Sequence, residues 1–173
     1  MQRDVIAVSQ DLTLRELVEV FGEHEVSGAP VVGSGKVIGV ISTTDIFDFR
    51  EDTASGALRP GGLAREPEGA PRRRGGSSAE FFSETWEPAD FETIEWMRTT
   101  RNRDWDLLDE YTVADVMTRD VVSQPSNATV RAAAQYMLDA GVHRVLVIDN
   151  GELQGIVTTT DIVRAVAEGK LEG

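Results

Sequence analysis

The sequence contains no cysteine, and this absence removes several kinds of chemistry at once. Disulfide bonds, thiolate nucleophiles and zinc–thiolate sites all require the cysteine sulfur. Histidine is almost as scarce, since only His24 and His143 are present. These imidazole groups are too few for a multi-histidine metal site, so we expect no metal ion and no required cofactor.

Positive charge is also scarce. The chain has 17 Lys and Arg residues against 30 Asp and Glu residues, which gives a formal net charge of −13 at pH 7. Nucleic acids and anionic membrane surfaces are bound by clustered Lys and Arg, so we expect neither as a partner. The run Arg72-Arg73-Arg74 lies near acidic residues, and we interpret it as part of a solvated linker.

Long apolar runs and catalytic motifs are missing as well. No apolar run approaches the ~20 residues of a membrane span, and no signal peptide opens the chain, so we expect a cytoplasmic protein. The sequence has no P-loop, no Gly-rich dinucleotide loop and no Ser-His-Asp arrangement that its spacing supports. We therefore do not expect an enzyme.

What the sequence does contain is an internal repeat. Residues 1–49 recur at 117–165, shifted by 116 positions without a gap, and 14 of the 49 positions hold the same residue type. Such a repeat indicates one supersecondary unit built twice, with each copy burying its open face on the other. We expect the function to lie at the seam between the copies. Residues 112–116 have no counterpart before Met1, which indicates a trimmed N-terminus.

Each copy has the pattern of strand, helix, strand, strand and helix, which predicts an α+β fold. Residues 13–16 have the spacing of a capping box that opens an amphipathic helix. Gly22 and Gly141 fall near helix ends, where a left-handed cap is common. The segments Gly33-Ser34-Gly35 and Asp149-Asn150-Gly151 predict the turns of two β-hairpins.

The segment between the copies divides in two by composition. Residues 50–80 are rich in Gly, Pro, Ser, Ala and Arg, and we predict a disordered loop. Residues 81–110 form an aromatic and acidic insert that holds all three tryptophans, with helices predicted over 92–101 and 104–111. Its aromatic side chains either cover part of the core or form an exposed patch that recognises a partner; we favour core cover.

Motifs in both copies resemble the cystathionine β-synthase (CBS) domain, which occurs in tandem pairs. They are Val26–Val32 and Gly39–Ile46 in the first copy, Val142–Asp149 and Gly155–Ile162 in the second, and the entry Asp115–Thr118. The resemblance implies a tandem CBS pair of two β-α-β-β-α repeats related by a pseudo-twofold axis. Repeat 1 would span residues 1–49 and repeat 2 residues 111–173.

The resemblance also implies a function. CBS pairs commonly act as regulatory sensors, work as homodimers that control an effector protein, and bind AMP, ADP, ATP or S-adenosylmethionine in clefts between the repeats. The family's Gly-x-x-Ser/Thr-x-x-Asp motif, whose Asp binds ribose hydroxyls, corresponds here to Ser42 with Asp45 and Thr158 with Asp161. The same pattern is an ordinary helix cap, and both interpretations stay open.

By the same resemblance, each cleft takes its ribose side from one repeat and its base-packing residues from the other. One cleft would join Asp161, Thr158 and Ile156 to Ile6, Val26 and Ser27. Its mate would join Asp45, Ser42 and Val40 to Val122, Val142 and His143.

The stretch Val142-His143-Arg144 is similar to the phosphate-binding His-Arg pair of the regulatory subunit of the AMP-activated protein kinase. His143 and Arg144 would reach the ligand phosphate, whereas the first repeat has Ser27-Gly28 at the matching positions, so we expect unequal clefts. The alternatives are a structural histidine and an arginine in a surface ion pair. For the whole protein, the alternative is a ligand-free dimerisation or interaction module in which residues 81–110 dock a partner.

Overall fold

The computed structural model describes residues 1–54, 81–82 and 103–170. The first copy consists of β1 (Val8–Ser9), α1 (Leu14–His24), β2 (Gly28–Gly33), β3 (Lys36–Ser42) and α2 (Thr43–Ala54). Next come α3 (Arg103–Glu110) and α4 (Val113–Val116). The second copy consists of β4 (Ser123–Gln124), α5 (Val130–Ala140), β5 (Arg144–Asp149), β6 (Glu152–Thr158) and α6 (Thr159–Ala167). The predicted α+β class and repeat order are confirmed. No helix in the described ranges is long and apolar enough to cross a membrane.

The two copies have the same sheet topology and register. Each sheet has three strands, in the orders β1-β2-β3 and β4-β5-β6, with a parallel pair followed by an antiparallel hairpin. Gly28 pairs with Ser42 in one hairpin, and Arg144 pairs with Thr158 at the equivalent place in the other. Each hairpin also has its register shift at the same place, after Val31 and after Val147. The copies therefore share one strand geometry.

Both hairpins close through two-residue turns with left-handed backbone, as the sequence predicts. In the first turn Ser34 has φ 52° and Gly35 has φ 78°. In the second turn Asn150 has φ 54° and Gly151 has φ 89°. Positive φ at both positions is the type I′ geometry that matches strand twist. Asn adopts this conformation more readily than Ser, so the first turn is the more strained.

Replacing the strained serine should stabilise the protein. We expect Ser34→Asn to raise the free energy of unfolding by about 0.5 kcal/mol, because Asn accepts positive φ at lower cost. The reciprocal change, Asn150→Ser, should lower it by a similar amount. Urea denaturation of both variants measures the effect, and destabilisation by Ser34→Asn would contradict the assigned turn type.

Helix α1 begins as predicted but ends later. The Thr13 side chain accepts a bond from the Glu16 N–H at 3.2 Å, and Glu16 Oε2 accepts one from the Thr13 N–H at 2.9 Å. The prediction of a cap near Gly22 is wrong, because the left-handed residue is Glu25, with φ 52°. The N–H groups of Glu25 and Val26 both donate to the Phe21 carbonyl, and these bonds set the helix end. In α5 the left-handed cap is Gly141, as predicted.

Helix α2 continues to Ala54, so the prediction that disorder begins at residue 50 is wrong for residues 50–54. Phe49 is buried, and its ring meets the Tyr111 ring edge-on at a centroid distance of 4.6 Å, which anchors the helix near this end. The rest of the predicted loop, residues 55–80, and the predicted helix over 92–101 lie outside the described residues. The helix predicted over 104–111 is observed as α3.

The helices of the first copy share one core with α3 and α4. The buried stripe of α1 is the predicted one: Leu14, Leu17, Val18 and Phe21. Leu108 of α3 and Val113 of α4 belong to the same cluster. An ion pair of 2.7 Å between Arg15 and Asp109 also joins α1 to α3. This part of the insert therefore covers the core; the tryptophan side chains lie outside the described part of the chain.

The seam between the copies is built from two reciprocal backbone contacts. Gln2 exchanges hydrogen bonds with Ile156, both at 2.9 Å. Thr118 exchanges hydrogen bonds with Val40, at 2.9 and 2.8 Å. The repeat offset of 116 converts each pair into the other, since 2 becomes 118 and 40 becomes 156. The entry segment of each copy thus pairs with the last strand of the other, as a pseudo-twofold axis requires.

Two repeated glycines make this approach possible. A Cβ atom at Gly39 would lie 2.6 Å from the Thr118 carbonyl oxygen. A Cβ atom at Gly155 would lie 2.6 Å from the Gln2 carbonyl oxygen. These separations are far inside van der Waals contact, so a larger residue would push the entry segments away from the sheets.

The seam can be tested at the first of these glycines. Gly39→Ala should lower the free energy of unfolding by about 2–3 kcal/mol, because the added methyl group meets backbone rather than a flexible side chain. Glu152→Ala, an exposed change in β6, should alter it by less than about 0.5 kcal/mol. Chemical denaturation compares the two, and equal effects would contradict the close approach.

Candidate functional site

A cavity of about 460 Å³ opens at the seam. Its size lies in the usual range of small-molecule sites. Its walls come from both copies, and six of the residues predicted from the sequence are among them: Ile6, Val26, His143, Arg144, Ile156 and Thr158. Asp161 lies one helical turn into α6, next to Thr158. Ser27 is half-buried and is not among the residues that line the cavity.

Thr158 and Asp161 form a capping box at the start of α6. The Thr158 N–H and hydroxyl both donate to Asp161 Oδ2, at 3.1 and 3.2 Å, and the Asp161 N–H donates to Thr158 Oγ1 at 3.3 Å. The helix-cap interpretation is therefore confirmed for this pair. The other carboxylate oxygen, Oδ1, lies 3.8 Å from the Met1 amino group and 3.9 Å from Arg164. Because a carboxylate can accept about four hydrogen bonds, Asp161 can cap the helix and still accept a hydrogen bond from a ligand hydroxyl group.

The equivalent pair in the first copy makes the same contacts but is hidden. The Ser42 N–H and hydroxyl donate to Asp45 Oδ2 at 2.6 and 2.8 Å. Asp45 is buried, whereas Asp161 is half-buried. The two motifs therefore share their chemistry and differ in access.

Phe81 and Phe82, the described beginning of the insert, pack at the seam between the copies. Both are buried, with ring centroids 4.9 Å apart in an edge-on arrangement. They form one apolar cluster with Val40, Leu146 and Ile156, and Val122 and Val142 pack against it. The His143 N–H donates to the Phe82 carbonyl at 2.6 Å. Phe82 therefore lies in a cluster that contains Val40 and Ile156, one from each predicted cleft, and Val122 and Val142 of the mate cleft pack against this cluster.

The basic pair at the start of β5 has two different environments. Arg144 is buried, and its guanidinium carbon lies 5.4 Å from the centroid of the Phe81 ring, a cation–π distance. The surface position that the alternative interpretation gave Arg144 is therefore wrong. The His143 side chain is exposed, while its carbonyl accepts bonds from the N–H and hydroxyl of Thr159 at 2.9 and 3.0 Å. These bonds fix the position of the pair at the cavity wall.

Sequence reasoning missed several residues of the cavity wall. His24 lies at the end of α1 and lines the cavity, as His143 does, so both histidines of the chain are at this site. Asp4 and Glu25 bring negative charge to the same wall, and Phe81 brings an aromatic ring. His24 corresponds to Ala140 in the second copy, so the repeat gives no signal for it. The one available signal was that histidine is rare in this sequence.

The charges of the wall suit an organic ligand better than a metal ion. Within residues 1–54, 81–82 and 103–170, no group of three His, Cys, Asp or Glu side chains could hold a metal ion. The cavity instead combines apolar side chains, a helix start and charges of both signs. Such a wall can bind a molecule with an apolar ring, hydroxyl groups and an anionic end.

The family model of the CBS domain matches residues 1–52 and 113–168, which together are more than half of the chain. An uncharacterized protein of Methanocaldococcus jannaschii is 29% identical over 167 residues, which cover 93% of this chain and 85% of that protein.

Two solved structures share the fold. The structure of CBSX2 in complex with AMP has a TM-score of 0.57 and 18% identity, and the match covers 98% of this chain and 94% of that one. A CBS domain pair in complex with 5′-methylthioadenosine and S-adenosyl-L-methionine has a TM-score of 0.53 and 18% identity, with the same coverages of 98% and 94%. At such identity the likeness shows the fold and no more.

Proposed function

The chain belongs to the CBS domain family, as its resemblance predicted, and from this premise we propose that it is a regulatory module that binds an adenosine nucleotide at the seam cavity. One observation carries the proposal: the open cavity joins Thr158 of the second repeat to Ile6 and Val26 of the first. The adenosine compounds bound by two proteins of the same fold support it. The proposal includes no chemical step, and the module acts by binding alone.

The ribose and the base would lie on opposite walls. Asp161 would accept hydrogen bonds from the ribose hydroxyls with the carboxylate capacity that the helix cap leaves over. Ile6, Val26 and Ile156 offer apolar contact for adenine. The first turn of α6 adds the positive end of its helix dipole beside Thr158.

The phosphate would lie near the basic pair. His143 and Arg144 line the cavity, and a guanidinium group can bind a phosphate through two parallel bonds. Asp4 and Glu25 lie on the same wall and repel further negative charge. The cavity therefore favours a monophosphate such as AMP, or a zwitterion such as S-adenosylmethionine, over ATP.

The phosphate contact can be measured by comparing two ligands. Arg144→Ala should weaken AMP about ten- to a hundredfold, because it removes a charged hydrogen bond worth about 1.5–3 kcal/mol. Adenosine, which has no phosphate, should lose far less. Calorimetric titration of both ligands gives the ratio of affinities, which is insensitive to a general loss of folded protein.

Two helix-cap variants distinguish an effect on ligand binding from an effect on stability. Thr158→Ala and Thr129→Ala each remove the N-cap of a helix in the second repeat and should each cost about 1 kcal/mol of stability. Thr158 lines the cavity and Thr129 does not, so only Thr158→Ala should also weaken adenosine. If wild-type protein takes up no adenosine compound at millimolar concentration, the ligand-free interaction module replaces the sensor.

We also propose that the module is a homodimer joined through the helices of the second repeat. Leu138 of α5 is 77% exposed, and Val163 of α6 is 62% exposed. In the first repeat, α3 and α4 share the core of α1 and α2. Isologous contact through one apolar face is the commonest oligomer symmetry.

A charge placed on this face should prevent dimerisation. We expect Leu138→Glu to shift the protein from dimer to monomer at micromolar concentration, since the paired face would bury two carboxylates. Ala132→Glu adds the same charge elsewhere on α5 and should leave the dimer intact. Sedimentation velocity distinguishes the two species, and a monomeric wild-type protein would contradict the proposal.

A further inference from the structure

We propose that Phe82 permanently occupies the mate cleft, so that the module has one nucleotide site per chain instead of two. The inference rests on the proposed function, since it concerns the number of sites for the same ligand class. It comes from a pair of residues outside both repeats, and the repeat symmetry alone would predict the opposite, two equivalent clefts.

The position of Phe82 matches the position that a base would take. Its ring is fully buried in the cluster that contains Val40, with Val122 and Val142 packed against that cluster. Its carbonyl oxygen accepts the His143 N–H at 2.6 Å. A flat aromatic ring and a polar acceptor are also what an adenine presents. A nucleotide could enter this cleft only by displacing the ring and breaking that hydrogen bond.

The packing of Phe81 against Gly28 shows that the first repeat has space for the insert. A Cβ atom at Gly28 would lie 2.8 Å from Cδ2 of the Phe81 ring, so only glycine leaves room there. The matching position in the second repeat is Arg144, whose guanidinium group lies against the same ring. The insert therefore packs where the two repeats differ most in side-chain size.

The two repeats differ in how accessible their motifs are to a ligand, as we expect if Phe82 occupies the mate cleft. On the open side, Ile156 and Thr158 line the cavity. Their counterparts Val40 and Ser42 are buried and are not among the residues that line it, although Ile156 is also buried in the cluster of Phe82. The Ser42 and Asp45 side chains bond to each other, as Thr158 and Asp161 do, but Ser42 and Asp45 are both buried. One motif is thus available to a ligand and the other serves the fold.

The test is the number of adenosine molecules bound per chain. Calorimetric titration of the full chain should give one for the wild type and two for Phe82→Ala, because removal of the ring opens the second cleft. Phe82→Leu keeps most of the side-chain volume and should still bind one. If Phe82→Ala fails to fold, Phe82→Val removes less of the core and takes its place in the same titration.

The outcomes separate this inference from the proposed function. Two molecules bound to the wild type, or one bound to both the wild type and a folded Phe82→Ala, would overturn the occupancy and leave the sensor intact. No binding to either would overturn both. No binding to the wild type with one molecule bound to Phe82→Ala would support the occupancy and refute the open cavity as the site.

Discussion

The structure depends on the reciprocal pairing of each entry segment with the last strand of the other repeat. Each three-stranded sheet pairs with a segment of the other copy, because Gln2 bonds to Ile156 and Thr118 bonds to Val40 across the seam. The glycines at 39 and 155 allow this contact between backbones. Two small units that could not each bury a sufficient core become one molecule, and the cavity lies at the seam between them.

The insert makes the pseudo-symmetric arrangement of the two repeats asymmetric. Its first residues, Phe81 and Phe82, pack at the seam, while α3 packs on the first repeat alone. Among the described residues, one side of the seam has an open cavity, and Asp45 on the other side is buried. Under the proposed function, a module with unequal sides can respond to a single ligand without needing two to bind, and the apolar helices of the second repeat are left for the proposed contact with another copy.

The residues at the cavity serve the fold and the ligand together. Thr158 and Asp161 hold the start of α6, and the proposed ribose contact uses the same carboxylate. Arg144 packs against Phe81 and also lines the cavity. A ligand that engages these groups therefore acts on a helix start and on the seam packing, which gives binding a direct route to the stability of both repeats.

The sequence by itself determined the features that depend on short-range patterns. These are the capping boxes, the type I′ turns at Ser34 and Asn150, and the repeat that sets the strand order. These follow from neighbouring residues and from periodicity, which need no knowledge of the rest of the chain. Only the tertiary structure decided that Phe82 packs into the seam and that His24 and His143 line the same cavity. These depend on contacts between residues far apart in sequence, and no local pattern encodes which buried position a distant aromatic ring will take.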